Sequence, residues 1–258
     1  MQTAEHTEEK KKREAIIERM FNVGAHFGYS RSRRHPSVLS YLFGAKNRVE
    51  IFDLEKTAEL FDSAKAFFKK LGKEGKNVLF VAGKHEARQA ILEAAEELSM
   101  PAVAGRWVGG VLTNFSEIKK RIERLETLVS QREKGELSHY TKLERLLIDR
   151  DIAALHQRFG GLLRLKSMPG AVFVVDSKRE HIVCAEAKKM RVPIVALINS
   201  DCNMREVEYP ILGNDSSNNS IRFFVSELVK AYQEGVAERP VAVALPATEE
   251  PATVSKEA

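Results

Sequence analysis

Three runs constrain this chain more than any other feature. NVLFVAG at 77–83, AVFVVD at 171–176 and PIVALINS at 193–200 carry apolar side chains at nearly every successive position. A strand turns consecutive side chains to opposite faces, so a run that is apolar throughout needs cover on both sides. That requirement is met by a mostly parallel sheet lying between layers of helix. The intervening segments supply the helices: in KHEARQAILEAAEELS (84–99) Ala87, Ile91, Ala94, Ala95 and Leu98 share one face, and SKREHIVCAEAKKMR (177–191) joins the second long run to the third. The short run AVAG follows the first helix, while YPILGND (209–215) and an amphipathic helix near 217–234 close the pattern. The expected fold is α/β, an open and doubly wound parallel sheet.

Two segments stand outside this alternation. RVEIFDLEKTAELFDSAKAFFKKLG reads as a short strand and a helix with a wide apolar face, carried by Leu54, Leu60, Phe61, Ala64, Phe67, Phe68 and Leu71. Between 113 and 160 no strand is expected. There Phe115, Ile118, Ile122, Leu125 and Val129 recur at alternating three- and four-residue steps, as do Ile148, Ile152, Leu155 and Phe159 beyond a turn at Gly135. Two such helices form an antiparallel coiled-coil hairpin that either projects from the body or lies over the sheet. The expected division is a charged arm at 1–13, an α/β body at 14–112 and 161–235, the hairpin at 113–160, and a Pro/Ala/Glu tail at 236–258.

Hydrophobic residues at 43% and charged residues at 30% suit a folded core rather than a disordered chain. No apolar stretch approaches the roughly 18 residues of a membrane-spanning helix, so no membrane partner is expected. Cys184 and Cys202 lack metal-site or disulfide spacing and read as ordinary thiols. MQTAEHTEEKKKRE places acids and bases where a signal peptide would be apolar, which makes cytoplasmic residence the expectation. The net charge of +5 is unevenly spread: Arg31, Arg33, Arg34, Lys46 and Arg48 occur with no acid among them, in a segment expected to be extended and exposed. Such a cluster is either merely solvated or a site for a polyanion such as nucleic acid.

Reaction centres are hard to find. The chain has no G-x-G-x-x-G, no G-x-x-x-x-G-K-[ST] and no G-x-S-x-G; the nearest piece, Gly83-Lys84-His85, lacks the upstream glycine and the magnesium-binding hydroxyl. Asp176, Asp201 and Asp215 follow expected strands, where carboxylates serve either as turn and cap residues or as a cation site. Gly105-Arg106-Trp107-Val108-Gly109-Gly110 precedes a long helix and holds the sole tryptophan. Its glycines and the helix amino terminus suit a phosphate, whereas Trp107, Gly109 and Gly110 equally suit a buried anchor and corner.

Taken together the sequence resembles the family of ribosomal protein S2, the second-numbered protein of the bacterial small ribosomal subunit. The resemblance is carried by GAHFGY (24–29), YLFGAKN (41–47), DLEKT (53–57), VLFVAGK (78–84), RWVGGVLTNF (106–115), KKRIERL (119–125), FGG (159–161), PGAVFVVDSKREHI (169–182), PIVALINSDCN (193–203) and GND (213–215). It implies a flavodoxin-like domain with a coiled-coil hairpin, without catalysis or a cofactor, bound to small-subunit ribosomal RNA in the cytoplasmic ribosome. Implied partners are that RNA and neighbouring ribosomal proteins, including the large one that captures messenger RNA. The RNA-binding set is expected to be Arg31, Arg33, Arg34, Lys46, Arg48, Lys84, Arg106, Lys119, Lys120, Arg121 and Arg124. The chain departs from the family at Arg34-His35-Pro36, where a tryptophan is usual before Asn-Pro, and at Asn199 and Ser216, where acids are common. The rival reading is an enzyme or binding protein for a phosphorylated small ligand; a free regulatory RNA-binding module is a third.

Overall fold

The computed structural model describes residues 13–239, so most of the arm and of the tail lies outside the described residues. Five strands form the parallel sheet: β4 (Val78–Ala82), β5 (Ala102–Val103), β6 (Ala171–Val175), β7 (Ile194–Ile198) and β8 (Tyr209–Leu212), in the spatial order β5-β4-β6-β7-β8. All neighbours are parallel. This is the doubly wound order of the flavodoxin-like type, with the winding reversing between β4 and β6.

Alternation along each strand divides the core in two. Phe80, Phe173, Val195 and Leu197 face one layer with α1 (helical over 13–22), α2 (Leu54–Glu74), α3 (His85–Glu97) and α7 (Asn218–Ala237). Phe68 meets Phe173 edge-on at 6.2 Å, and Phe61 meets Phe224 at 5.1 Å, the T-shaped geometry that aromatic quadrupoles favour. Helices α2 and α7 approach closely because Gly72 and Gly235 face one another; a Cβ on Gly235 would strike the Lys69 carbonyl. Leu79, Val81, Val172, Val174 and Ala196 face the other layer, with α4 (Phe115–Glu133), α5 (Lys142–Phe159) and α6 (His181–Met190).

The two long helices are buried in part against the sheet and exposed in part. Ile118, Ile122 and Leu125 of α4 and Ile152, Leu155 and Phe159 of α5 are buried in the same cluster as the sheet residues, so the root of the pair belongs to the core. Further out, Leu143, Leu146 and Leu147 are exposed. Gly135, at φ 72°, follows α4, and a reciprocal Thr141–Glu144 capping box starts α5.

Residues 27–52 differ from the expected single strand and extended loop. They form a second sheet, three-stranded and antiparallel, of β1 (Phe27–Ser30), β2 (Leu42–Lys46) and β3 (Val49–Phe52) in the order β1-β3-β2. The basic stretch is not extended: Arg31–Arg33 and Pro36–Tyr41 make 3₁₀ turns, the second capped by His35 accepting from the Ser37 amide. The helix α7 also runs through Ala237, past the expected start of the tail.

Candidate functional site

Ligands of doubly wound sheets sit beyond the strand carboxyl ends where the winding reverses, here after β4 and β6. Lys84, at the amino end of α3, enters that crevice from β4, and Asp176, at φ 67°, enters from β6. Lys84 Nζ lies 2.8 Å from Asp176 and also pairs with Asp215, which is 0% exposed. Asn199 donates to the other oxygen of Asp215 at 2.8 Å, and Lys84 donates to the Tyr29 hydroxyl at 3.2 Å. Burial opposes the lysine charge, but the two aspartates outweigh it and hold Lys84 protonated, with its pKa above the ordinary lysine value. The ammonium group in the crevice is therefore buried and neutralised by the protein's own carboxylates. Lys84, expected among the RNA-binding residues, is turned inward and paired with Asp176 and Asp215. Asp201 faces Lys178 at 3.1 Å, and among the described residues no group of acids, histidines and cysteines is arranged to hold a metal.

The glycine-rich loop has also been given an internal anion. Glu186 of α6 accepts from Gly110 N–H at 2.7 Å, Leu112 N–H at 3.0 Å, Thr113 N–H at 3.2 Å and Trp107 Nε1–H at 3.2 Å. Burial works against its charge, yet these donors prevail and hold the carboxyl below the ordinary glutamate range. Amides that could have received a phosphate are thus taken by a carboxylate. Trp107 is 7% exposed, Gly110 adopts φ 96°, and Gly109 lies at the surface beside them. Glu186 is the residue that sequence reasoning missed; its partners lie some 76 residues away, and no local motif marks it.

Cations on the three-stranded sheet fall into two groups. Arg34 Nη1 pairs at 2.9 Å with Glu50, whose side chain is 2% exposed, so Arg34 serves the interior. Arg31, Arg33, Lys46 and Arg48 are exposed and have no ion-pair partner among the described residues. Strand pairing brings them together: the Arg31 amide donates to the Arg48 carbonyl, and Lys46 stands opposite Val49. On α4, Lys119, Lys120 and Arg124 make exposed pairs with Glu123, Glu117 and Asp151, pairs worth little and easily exchanged for a stronger anion; Arg121 is exposed without one among the described residues.

A second basic groove lies between α3, the glycine-rich loop and the end of α5. Arg106 lines it with Arg88 of α3 and Arg158 of α5, beside Trp107. All three arginines are exposed, and none is ion-paired among the described residues. Arg88 and Arg158 were not legible as site residues, because only packing brings these two helices together.

This is a doubly wound α/β domain whose Lys84 is paired with its own aspartates and whose exposed cations include several with no ion-pair partner among the described residues. Comparison with known proteins gives the family. A family model described as Ribosomal protein S2 matches residues 20–235. The small ribosomal subunit protein uS2 of Desulforapulum autotrophicum is 38% identical over 216 residues, covering 84% of this chain and 77% of that protein. The uS2 protein of Maridesulfovibrio salexigens is 37% identical over 233 residues, 90% of each chain, and that of Geotalea uraniireducens 36% over 225 residues, 87% of this chain and 88% of that one. The chain belongs to the ribosomal protein S2 family, a structural and non-enzymatic family of the small ribosomal subunit.

Proposed function

We propose that the protein is a structural constituent of the small ribosomal subunit in the cytoplasm, holding ribosomal RNA through outward-facing cations. The observation that carries this reading is the collection of exposed Arg31, Arg33, Lys46 and Arg48 on and beside one small sheet with no ion-pair partner among the described residues, in a chain of this family. Arginine and lysine without a carboxylate nearby gain most from phosphate oxygens, and each phosphate neutralised releases condensed counterions. Arg106, with Arg88 and Arg158, and Arg121 with the exchangeable pairs on α4 extend the footprint toward the hairpin. The proposed division keeps an α/β body at 14–112 and 161–235, with a hairpin at 113–160 rooted in the core.

Protein docking belongs to the outer hairpin in this reading. Leu143, Leu146 and Leu147 are exposed on neighbouring turns of α5, a stripe suited to an apolar partner surface. The large messenger-RNA-capturing ribosomal protein is the neighbour proposed for it. No helix of the described residues is long and apolar enough to cross a membrane.

The test is the salt dependence of binding to a small-subunit ribosomal RNA transcript. Replacing Arg31, Arg33, Lys46 and Arg48 together with alanine should lower the magnitude of the log K against log salt slope by about 3, at roughly 0.7–0.9 per phosphate lost. An unchanged slope would move the footprint to the hairpin. Co-sedimentation of the cellular protein with small subunits separates this role from a free RNA-binding module.

A further inference from the structure

Phe43 on β2 is 82% exposed, the highest value among the large hydrophobic residues described. It is not an isolated surface side chain, because it lines one groove with Arg31, Arg34 and Leu39. The groove is about 250 Å³, below the roughly 300–1,000 Å³ of small-molecule pockets, and too small to enclose a free ligand. β2 is an edge strand, and Gly44 and Ala45, which follow Phe43, place no large side chain beside it. No aromatic ring of the described residues stacks on Phe43. The ring therefore has room for a flat partner.

Charge decides what that partner is. The acid lining the groove, Glu50, is buried and paired with Arg34, while Arg31 on the groove and Lys46 and Arg48 on the same sheet are exposed and unpaired among the described residues. A flat apolar group embedded in a polyanion fits both halves of this surface. Unpaired RNA bases are recognised in that way, stacked on an aromatic side chain with their phosphates held by neighbouring cations. We propose that Phe43 is the stacking platform for one unpaired nucleobase of RNA, whose flanking phosphates lie on Arg31, Lys46 and Arg48. The proposal rests on the RNA-binding reading above and adds a base contact to it.

Stacking and charge contribute separately, so they can be tested separately. Phe43→Ala should weaken binding to a small-subunit ribosomal RNA transcript roughly tenfold or more, with the salt slope unchanged because the ring neutralises no phosphate. Inorganic polyphosphate, a polyanion without bases, should bind the variant and the parent equally. Phe43→Trp should retain RNA affinity and show tryptophan emission quenched by RNA and not by polyphosphate; Trp107, being buried, supplies the background. Equal losses for RNA and polyphosphate would overturn the proposal, since the ring would then only shape the basic turn. Unchanged RNA affinity with impaired association of neighbouring ribosomal proteins would overturn it in favour of a protein contact. If the parent protein itself showed no salt-dependent RNA binding, the RNA reading would fall first and the base contact with it.

Discussion

The carboxyl end of the parallel sheet and the three-stranded sheet both gather basic side chains, and they differ in what surrounds those charges. At the parallel sheet, Lys84 sits between Asp176 and Asp215, and the glycine-rich loop closes on Glu186. At the small sheet only Arg34 has such a partner, and Arg31, Arg33, Lys46 and Arg48 have none among the described residues. The first region turns its charges on one another; the second leaves charge available for another molecule. A basic residue near a strand end is thus no guide to binding until its counter-charge has been located.

Stability measurements should separate the regions in a graded order. Lys84→Met leaves two aspartates with little solvent and no counter-ion, so the expected loss is about 3–5 kcal/mol, the range for breaking a buried pair from one side. Urea unfolding would measure it, and a loss below about 1 kcal/mol would show that solvent reaches the crevice.

Glu186→Gln should cost about 2–4 kcal/mol, because it weakens several charge-assisted bonds and presents an NH₂ group to donors. A pH series sharpens this. The Glu186 carboxyl titrates below its ordinary 4.5 in the folded state, so its stabilisation is complete above that value and is lost as pH falls through the folded one. The variant should lack that component of the acid-side decline; an identical decline would show that Glu186 is not ionised against the loop.

Arg34→Ala and Arg31→Ala make the closest contrast, since the residues are three apart in one basic stretch. Arg34 is partly exposed, so its removal from Glu50 should cost less than a fully buried break, about 1–3 kcal/mol. Arg31→Ala should change stability by no more than about 0.5 kcal/mol. Equal thermal shifts would erase the distinction between the inward and outward cations.

The smallest stability effect and a clear binding effect are expected for the double replacement Arg33→Ala and Arg48→Ala. Unfolding should be nearly unchanged, whereas the salt slope for ribosomal RNA should fall by about 1.4–1.8. A large unfolding change would place these arginines with Lys84.

Much of the fold was legible because its signals are local. The runs ending in β4, β6 and β7 are apolar throughout, and that pattern has few solutions other than a covered parallel sheet. The α4 and α5 periodicities were equally clear, although they could not show that Ile118 and Ile152 would enter the sheet's own core. β1 and β2 escaped notice since FGYS and LFGAK are short, largely surface segments without alternation, held by pairing with β3.

By itself the sequence determined the parallel sheet, its helical layers and the presence of a basic stretch, because periodicity and composition are properties of neighbouring residues; the family was legible as a resemblance carried by segments such as RWVGGVLTNF and PGAVFVVDSKREHI. Only the tertiary structure decided which charges remain outward. Lys84 meets Asp215 from 131 residues away, and Glu186 meets Gly110 from 76. A charge is neutralised by whatever lies within a few ångströms in space, and that distance is fixed by packing rather than by position along the chain.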